Sequence, residues 1–153
     1  MTGLTRMMGN PSGTYRDEAV TRRYRVILAD DHGAVRQAIR QLLDPEFEVL
    51  RTVGDGAALL AAAADLLPDA IVSDIEMPDL GGIAAGSAVL ERGLCRAVVI
   101  LSMYSDWHLV ETAFAAGICG YVLKLDAVEE LIPAVYAALQ GERYLSRGVR
   151  APR

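Results

Sequence analysis

Four short apolar runs limit what this chain can fold into: Arg25–Ala29, Ala70–Asp74, Ala97–Leu101 and Cys119–Leu123. They show almost no polar alternation, which suits strands covered on both faces, as in a parallel sheet. A fifth strand is predicted where Phe47, Val49 and Arg51 alternate. Helical patterns fall between the strands. Val35, Ala38, Ile39, Leu42 and Leu43 share one helical face, and Ala57–Leu67 is a helix on propensity alone. A weaker helix is predicted near Ile83–Glu91, loosened by Gly86, and another from Asp106 to about Ala116. Val128, Leu131, Ile132, Val135 and Leu139 form the stripe of the last helix, which Pro133 is expected to bend. Strand and helix alternate five times with short connections. That pattern implies an α/β fold: one doubly wound, five-stranded parallel sheet with right-handed crossovers and helices on both faces.

The punctuation agrees. Asp44-Pro45 and Pro68-Asp69 stop helices, Gly117 and Gly141 close two more, and Asp106 and Asp126 are placed to cap the helices they precede. Residues 1–24, without periodicity, read as a flexible leader, 25–141 as the domain and 142–153 as a C-terminal tail.

Charge narrows the partners. Of the net −5, residues 1–24 carry +2 and 141–153 carry +3, so the body carries −10. An acidic body argues against a nucleic-acid-binding face on it. No apolar run reaches the roughly 18 residues of a membrane span, and no apolar segment near the start suggests a signal peptide, so the expected location is cytoplasmic. Cys95 and Cys119 have neither the spacing nor the paired histidines of a metal or redox site and read as core residues.

The informative polar residues stand at the C-terminal ends of strands one, three, four and five: Asp30 and Asp31, Asp74, Ser102, and Lys124. That rim is where doubly wound sheets place ligands. Converging carboxylates raise one another's pKa unless a cation joins them. A hard divalent ion such as Mg²⁺ suits oxygen ligands, Lys124 adds a compact positive charge, and Ser102 a hydroxyl. Together they suit a phosphoryl group bound between Mg²⁺ and Lys124, with Asp74 as attacking carboxylate. Each piece alone has a plainer reading: Asp-Asp as a helix cap, Lys124 as a solvated side chain. His32 and His108 are expected to face solvent rather than bind metal. Tyr104, Trp107 and Tyr136 read equally as packing or as contact surface.

The set Leu28-Ala29-Asp30-Asp31-His32, Asp74 followed by Met77-Pro78, Leu101-Ser102-Met103-Tyr104 and Gly120-Tyr121-Val122-Leu123-Lys124 resembles the receiver domain of bacterial two-component response regulators. Gly-Glu-Arg-Tyr-Leu-Ser at 141–146 is similar to the subgroup whose receivers precede a LuxR-type helix-turn-helix domain. The resemblance implies a strand order of 2-1-3-4-5. It implies that Asp74 accepts a phosphoryl group from a sensor histidine kinase. Asp31, Asp74 and the backbone carbonyl of Glu76 would bind Mg²⁺, with Asp30 acting through water. Lys124 and Ser102 would hold phosphoryl oxygens, and Tyr121 would be the switch aromatic, swinging inward as Ser102 moves.

On this likeness the domain is a signalling switch rather than an enzyme. It would act on a downstream partner or on transcription, with homodimerisation through exposed helical faces. DNA contact would need a further C-terminal domain, for which twelve residues after Gly141 are too few. Departures from the family are Gly33 and Leu125 where relatives often have proline, and Gly81-Gly82, expected to loosen the turn after the acceptor. Two alternatives stay open. Asp74-Ile75-Glu76 superficially resembles the motif of haloacid dehalogenase-like phosphatases, and the fold could serve as a phosphate-independent interaction domain.

Overall fold

A computed structural model describes residues 23–152. The strands are β1 (Arg25–Ala29), β2 (Glu48–Val53), β3 (Ala70–Asp74), β4 (Ala97–Ser102), β5 (Gly120–Leu123) and β6 (Tyr144–Leu145). The helices are α1 (Gly33–Leu43), α2 (Gly56–Leu66), α3 (Gly82–Glu91), α4 (Trp107–Ala115) and α5 (Ala127–Leu139), with a 3-10 turn at Lys124–Asp126. All neighbouring strands are parallel, in the order β2-β1-β3-β4-β5-β6. The expected order is present, and the expected five strands become six because part of the segment read as a tail adds β6 to the β5 edge.

Alternate residues of each strand feed opposite cores. Val26, Leu28, Val72, Val99, Leu101 and Val122 pack under α1 and α5, against Ile39, Leu43, Leu131 and Val135. Ile27, Ile71, Val98, Ile100 and Tyr121 pack under α2, α3 and α4, against Leu59, Val89 and Val110. Every residue of β3 and β4 is buried, as apolar runs without alternation predict. Helix α5 runs through Pro133 without interruption. Cys95 is buried and Cys119 partly buried, both free; burial pushes the Cys95 thiol up to about 11.

The leader expected over 1–24 lies outside the described residues up to 22. Arg23 donates to the carbonyls of Asp44 and of Phe47 (3.2 Å), and the Tyr24 carbonyl accepts the Glu48 N–H at 2.9 Å, so the chain is anchored before β1 begins.

Beyond α5 the chain returns to the sheet. Glu130, its side chain 4% exposed, accepts from Tyr144 Oη at 3.0 Å, from the Arg147 N–H at 3.3 Å and from Arg147 Nε at 3.4 Å. Burial works against its charge, but these donors outweigh it and keep the carboxyl below its ordinary 4.5. A depressed carboxyl contributes stability that is present above its unfolded value and is lost as the pH falls through the folded one. Glu130→Gln is therefore expected to cost roughly 1–3 kcal/mol at pH 7. In urea titrations repeated under increasingly acid conditions the gap to wild type should close.

Candidate phosphoryl and metal site

Strand ends bring the acids together. Asp74 is the last residue of β3, and Asp30 follows β1 directly, held there by its N–H to the Val53 carbonyl at 3.0 Å. Lys124 follows β5 on the 3-10 turn. Its Nζ lies 3.0 Å from Asp30 Oδ2 and 3.3 Å from Asp74 Oδ1. Residues separated by 44 and 50 positions thus meet at one rim. Asp30 and Asp74 are both buried, while the Asp31 side chain is 30% exposed and opens the cluster to solvent.

Each partner's protonation follows from this setting. Burial pushes the Asp74 carboxyl above its ordinary 3.8, the negative charge of Asp30 adds to it, and Lys124 offsets only part. For Lys124 burial opposes the charge, but contact with Asp30 and the charges of Asp74 and Asp30 outweigh it and hold the ammonium above its usual value. A raised carboxyl contributes stability only below its unfolded value; it is lost as the pH rises through the folded one. The metal-free protein therefore works against the ionised Asp74 near neutrality. Asp74→Asn is expected to raise the thermal midpoint in EDTA at pH 7. The gain should vanish once the pH is below 3.8, where wild type is protonated in both states.

The donor set fits a hard cation. Ligand atoms of Asp30, Asp31, His32 and Asp74 lie within 4.8 Å of one another. Asp30 Oδ1 accepts the His32 N–H at 2.9 Å. Asp30 Oδ2 is fully buried and has no hydrogen bond of acceptable geometry among the described residues, Lys124 meeting it as an ion pair off the hydrogen-bond angle. Buried carboxylate oxygen with spare acceptor capacity is what Mg²⁺ or a bridging water takes up. His32 is exposed as expected (72%), yet its Nδ1 rests 3.0 Å from Asp31 Oδ1, so it borders the cluster instead of pointing away.

Ser102 is buried at the end of β4, and its Oγ accepts the Tyr104 N–H at 2.9 Å. Tyr121 is fully buried, with Oη donating to the Tyr104 carbonyl at 2.7 Å, so the aromatic expected to swing already lies inward. Glu76 sits two residues past Asp74, and its side chain accepts from Tyr104 Oη at 3.2 Å. Tyr104 thus links the hydroxyl, the aromatic and the acceptor loop. Sequence reasoning left it undecided because its backbone, not its side-chain type, makes two of those links.

Arg36 was also missed: from α1 its Nη1 donates to the Asp30 carbonyl at 2.7 Å. In the Gly81-Gly82 pair, expected to loosen the acceptor turn, Gly82 has a packing role. A Cβ on Gly82 would lie 1.9 Å from the Asp74 carbonyl, so only glycine lets α3 start against the acceptor's backbone. Leu125 leaves the Lys124 turn without proline; the described residues contain no cis peptide, and Leu125 is 95% exposed. His108 is exposed, as expected.

Comparison with known proteins agrees with this geometry. A profile described as "Response regulator receiver domain" matches residues 26–136. The chain is 36% identical over 120 residues to the transcriptional regulatory protein YxjL of Bacillus subtilis, covering 77% of this chain and 55% of that one. It is 33% identical over 128 residues to the nitrate/nitrite response regulator NarP of Escherichia coli, covering 82% and 60%. It therefore spans little more than half the length of these relatives. Among solved structures, the isolated receiver domain of RcsB from Salmonella enterica serovar Typhimurium, determined with the phosphomimetic BeF₃⁻, superposes with a TM-score of 0.75 at 25% identity, covering 84% of this chain and 96% of that one.

Proposed function

The chain belongs to the response regulator receiver family, and on that premise we propose that Asp74 is its phosphoacceptor, loaded by a sensor histidine kinase. Family membership makes it a signalling domain and sets aside the phosphatase reading. The observation that carries the proposal is the placement of one ammonium against two buried carboxylates, 3.0 and 3.3 Å away, at the rim where β1, β3 and β5 end.

On this reading an Asp74 carboxylate oxygen attacks the phosphorus of a phosphohistidine. The O–P bond forms as the N–P bond breaks, and the imidazole leaves. Asp31, Asp74 and the Glu76 carbonyl would hold Mg²⁺, and Asp30 would act on it through water. When bound, the ion supplies positive charge toward phosphoryl oxygens. Lys124 Nζ, already beside Asp74, receives a second such oxygen, and burial of Asp74 keeps bulk water from competing. Ser102 redirects its O–H from the Tyr104 carbonyl, 3.4 Å away, to a third oxygen. Tyr104 and Tyr121 are thereby linked to the phosphoryl state, a local charge event biasing a two-state element. The output, a downstream partner or transcription through a DNA-binding region like those of longer regulators, follows from that bias, as does homodimerisation.

Calorimetric titration with beryllofluoride in the presence of Mg²⁺ tests the site. One equivalent is expected to bind; wild type that takes up none at millimolar fluoride overturns the proposal.

A further inference from the structure

The turn that presents Lys124 has little of its own to hold it. Its middle residue, Leu125, is 95% exposed, and neither Leu123 nor Asp126 makes a side-chain cap bond to the helical backbone that follows. The Asp126 carboxylate, expected to cap α5, goes elsewhere. Asp126 Oδ2 accepts from Ser146 Oγ at 2.8 Å, and the same Oγ accepts the Leu123 N–H at 3.2 Å. One hydroxyl, 1% exposed, therefore ties both residues that bracket the Lys124-Leu125 pair.

Backbone accounting explains why a hydroxyl does this. The Tyr144 and Ser146 N–H groups donate to the Cys119 and Tyr121 carbonyls at 2.8 and 2.9 Å, as a parallel ladder requires. The Ser146 carbonyl instead turns to the Val149 N–H at 3.0 Å. The next ladder donor, Leu123 N–H, is met by the serine side chain. Close packing seals the arrangement, since a Cβ on Gly148 would come within 2.8 Å of Leu123 Cδ1 and 3.3 Å of Asp126 Oδ2.

We propose that Ser146 is a positioning residue for Lys124: from outside the acidic rim, its hydroxyl fixes the 3-10 turn and so places the ammonium between Asp30 and Asp74. Lysine's rotatable stem supplies no rigidity of its own, so the direction from which Nζ enters the rim is set by the backbone that carries it. The consequence for phosphoryl binding rests on the role given to Lys124 above; the positioning itself does not.

The test separates turn placement from general loosening. Ser146→Ala is expected to weaken beryllofluoride binding about tenfold to a hundredfold while Mg²⁺ titrated alone binds as in wild type. Ser146→Thr, which keeps the hydroxyl, should recover most of the loss. Tyr144→Phe, on β6 two residues before Ser146, removes the bond to Glu130 of α5 without removing a bond to the turn, and should leave beryllofluoride affinity unchanged. Lys124 is the chain's single lysine, so its ¹³Cε resonance at fixed pH gives a second readout, moved by Ser146→Ala and not by Tyr144→Phe.

Equal beryllofluoride affinity in Ser146→Ala and wild type, a parallel loss of Mg²⁺ binding, or the same loss in Tyr144→Phe each overturns the proposal. If wild type binds no beryllofluoride, the phosphoryl reading fails and the lysine resonance alone decides the positioning: movement supports it and constancy overturns it. Should Ser146→Ala not fold, Asp126→Ala carries the same comparison.

Discussion

Incubation with acetyl phosphate and Mg²⁺ is expected to yield one phosphoryl adduct on the wild-type chain and none on Asp74→Asn, read by intact-mass spectrometry. The substitution keeps the shape of the side chain and removes its nucleophilic oxygen. Its neighbours cannot substitute easily. Asp30 is fully buried, with Oδ1 bonded to the His32 N–H and Oδ2 facing Lys124. Asp31 carries no ammonium beside it among the described residues. The Asn variant is expected to stay folded at neutral pH, since burial and the Asp30 charge work against an ionised Asp74, and a melting curve in the same buffer checks this. An adduct that persists on Asp74→Asn, or none on wild type, would falsify the acceptor assignment. Hydroxylamine should remove the wild-type adduct, as it does an acyl phosphate and not a phosphoserine.

Lys124→Ala is expected to lower the rate of adduct formation by about 10²–10³, the size seen when one donor to developing charge is removed. The same change leaves Asp30 buried beside Asp74 with no cation, and breaking a buried pair costs about 3–5 kcal/mol. The metal-free variant should therefore melt well below wild type. Mg²⁺ should restore much of that difference, since it replaces the missing positive charge and binds only the folded acids. Differential scanning calorimetry with EDTA and with Mg²⁺ reads both expectations. A variant that loses Mg²⁺ affinity altogether would contradict the division between metal-binding acids and phosphoryl-binding lysine.

Much of this was legible in the order of residues. Apolar runs without alternation mark strands buried on both faces, and a polar residue ending such a run is carried to the rim by the strand itself. Asp30, Asp31, Asp74, Ser102 and Lys124 are placed at strand ends that way, with no knowledge of side-chain contacts. What escaped depends on neighbours. Gly82 looks like a flexible joint until the Asp74 carbonyl is seen against it. Asp126 has the position of a cap, yet Ser146 captures its carboxylate. β6 is only two residues long, too short for periodicity to show, and its pairing is set by the exposed edge of β5. Tyr104 and Arg36 act on the site through backbone groups, which residue type does not reveal.

That short sixth strand also bears on how the protein can be handled. The family profile ends at residue 136, and a fragment cut at that limit would strip the flank of β5 of the partner that meets its carbonyls at residues 119 and 121. A bare strand flank is an adhesive surface for a second copy. Excised versions of this protein that stop before Tyr144 should accordingly stick to one another and precipitate, whatever the state of their acidic rim.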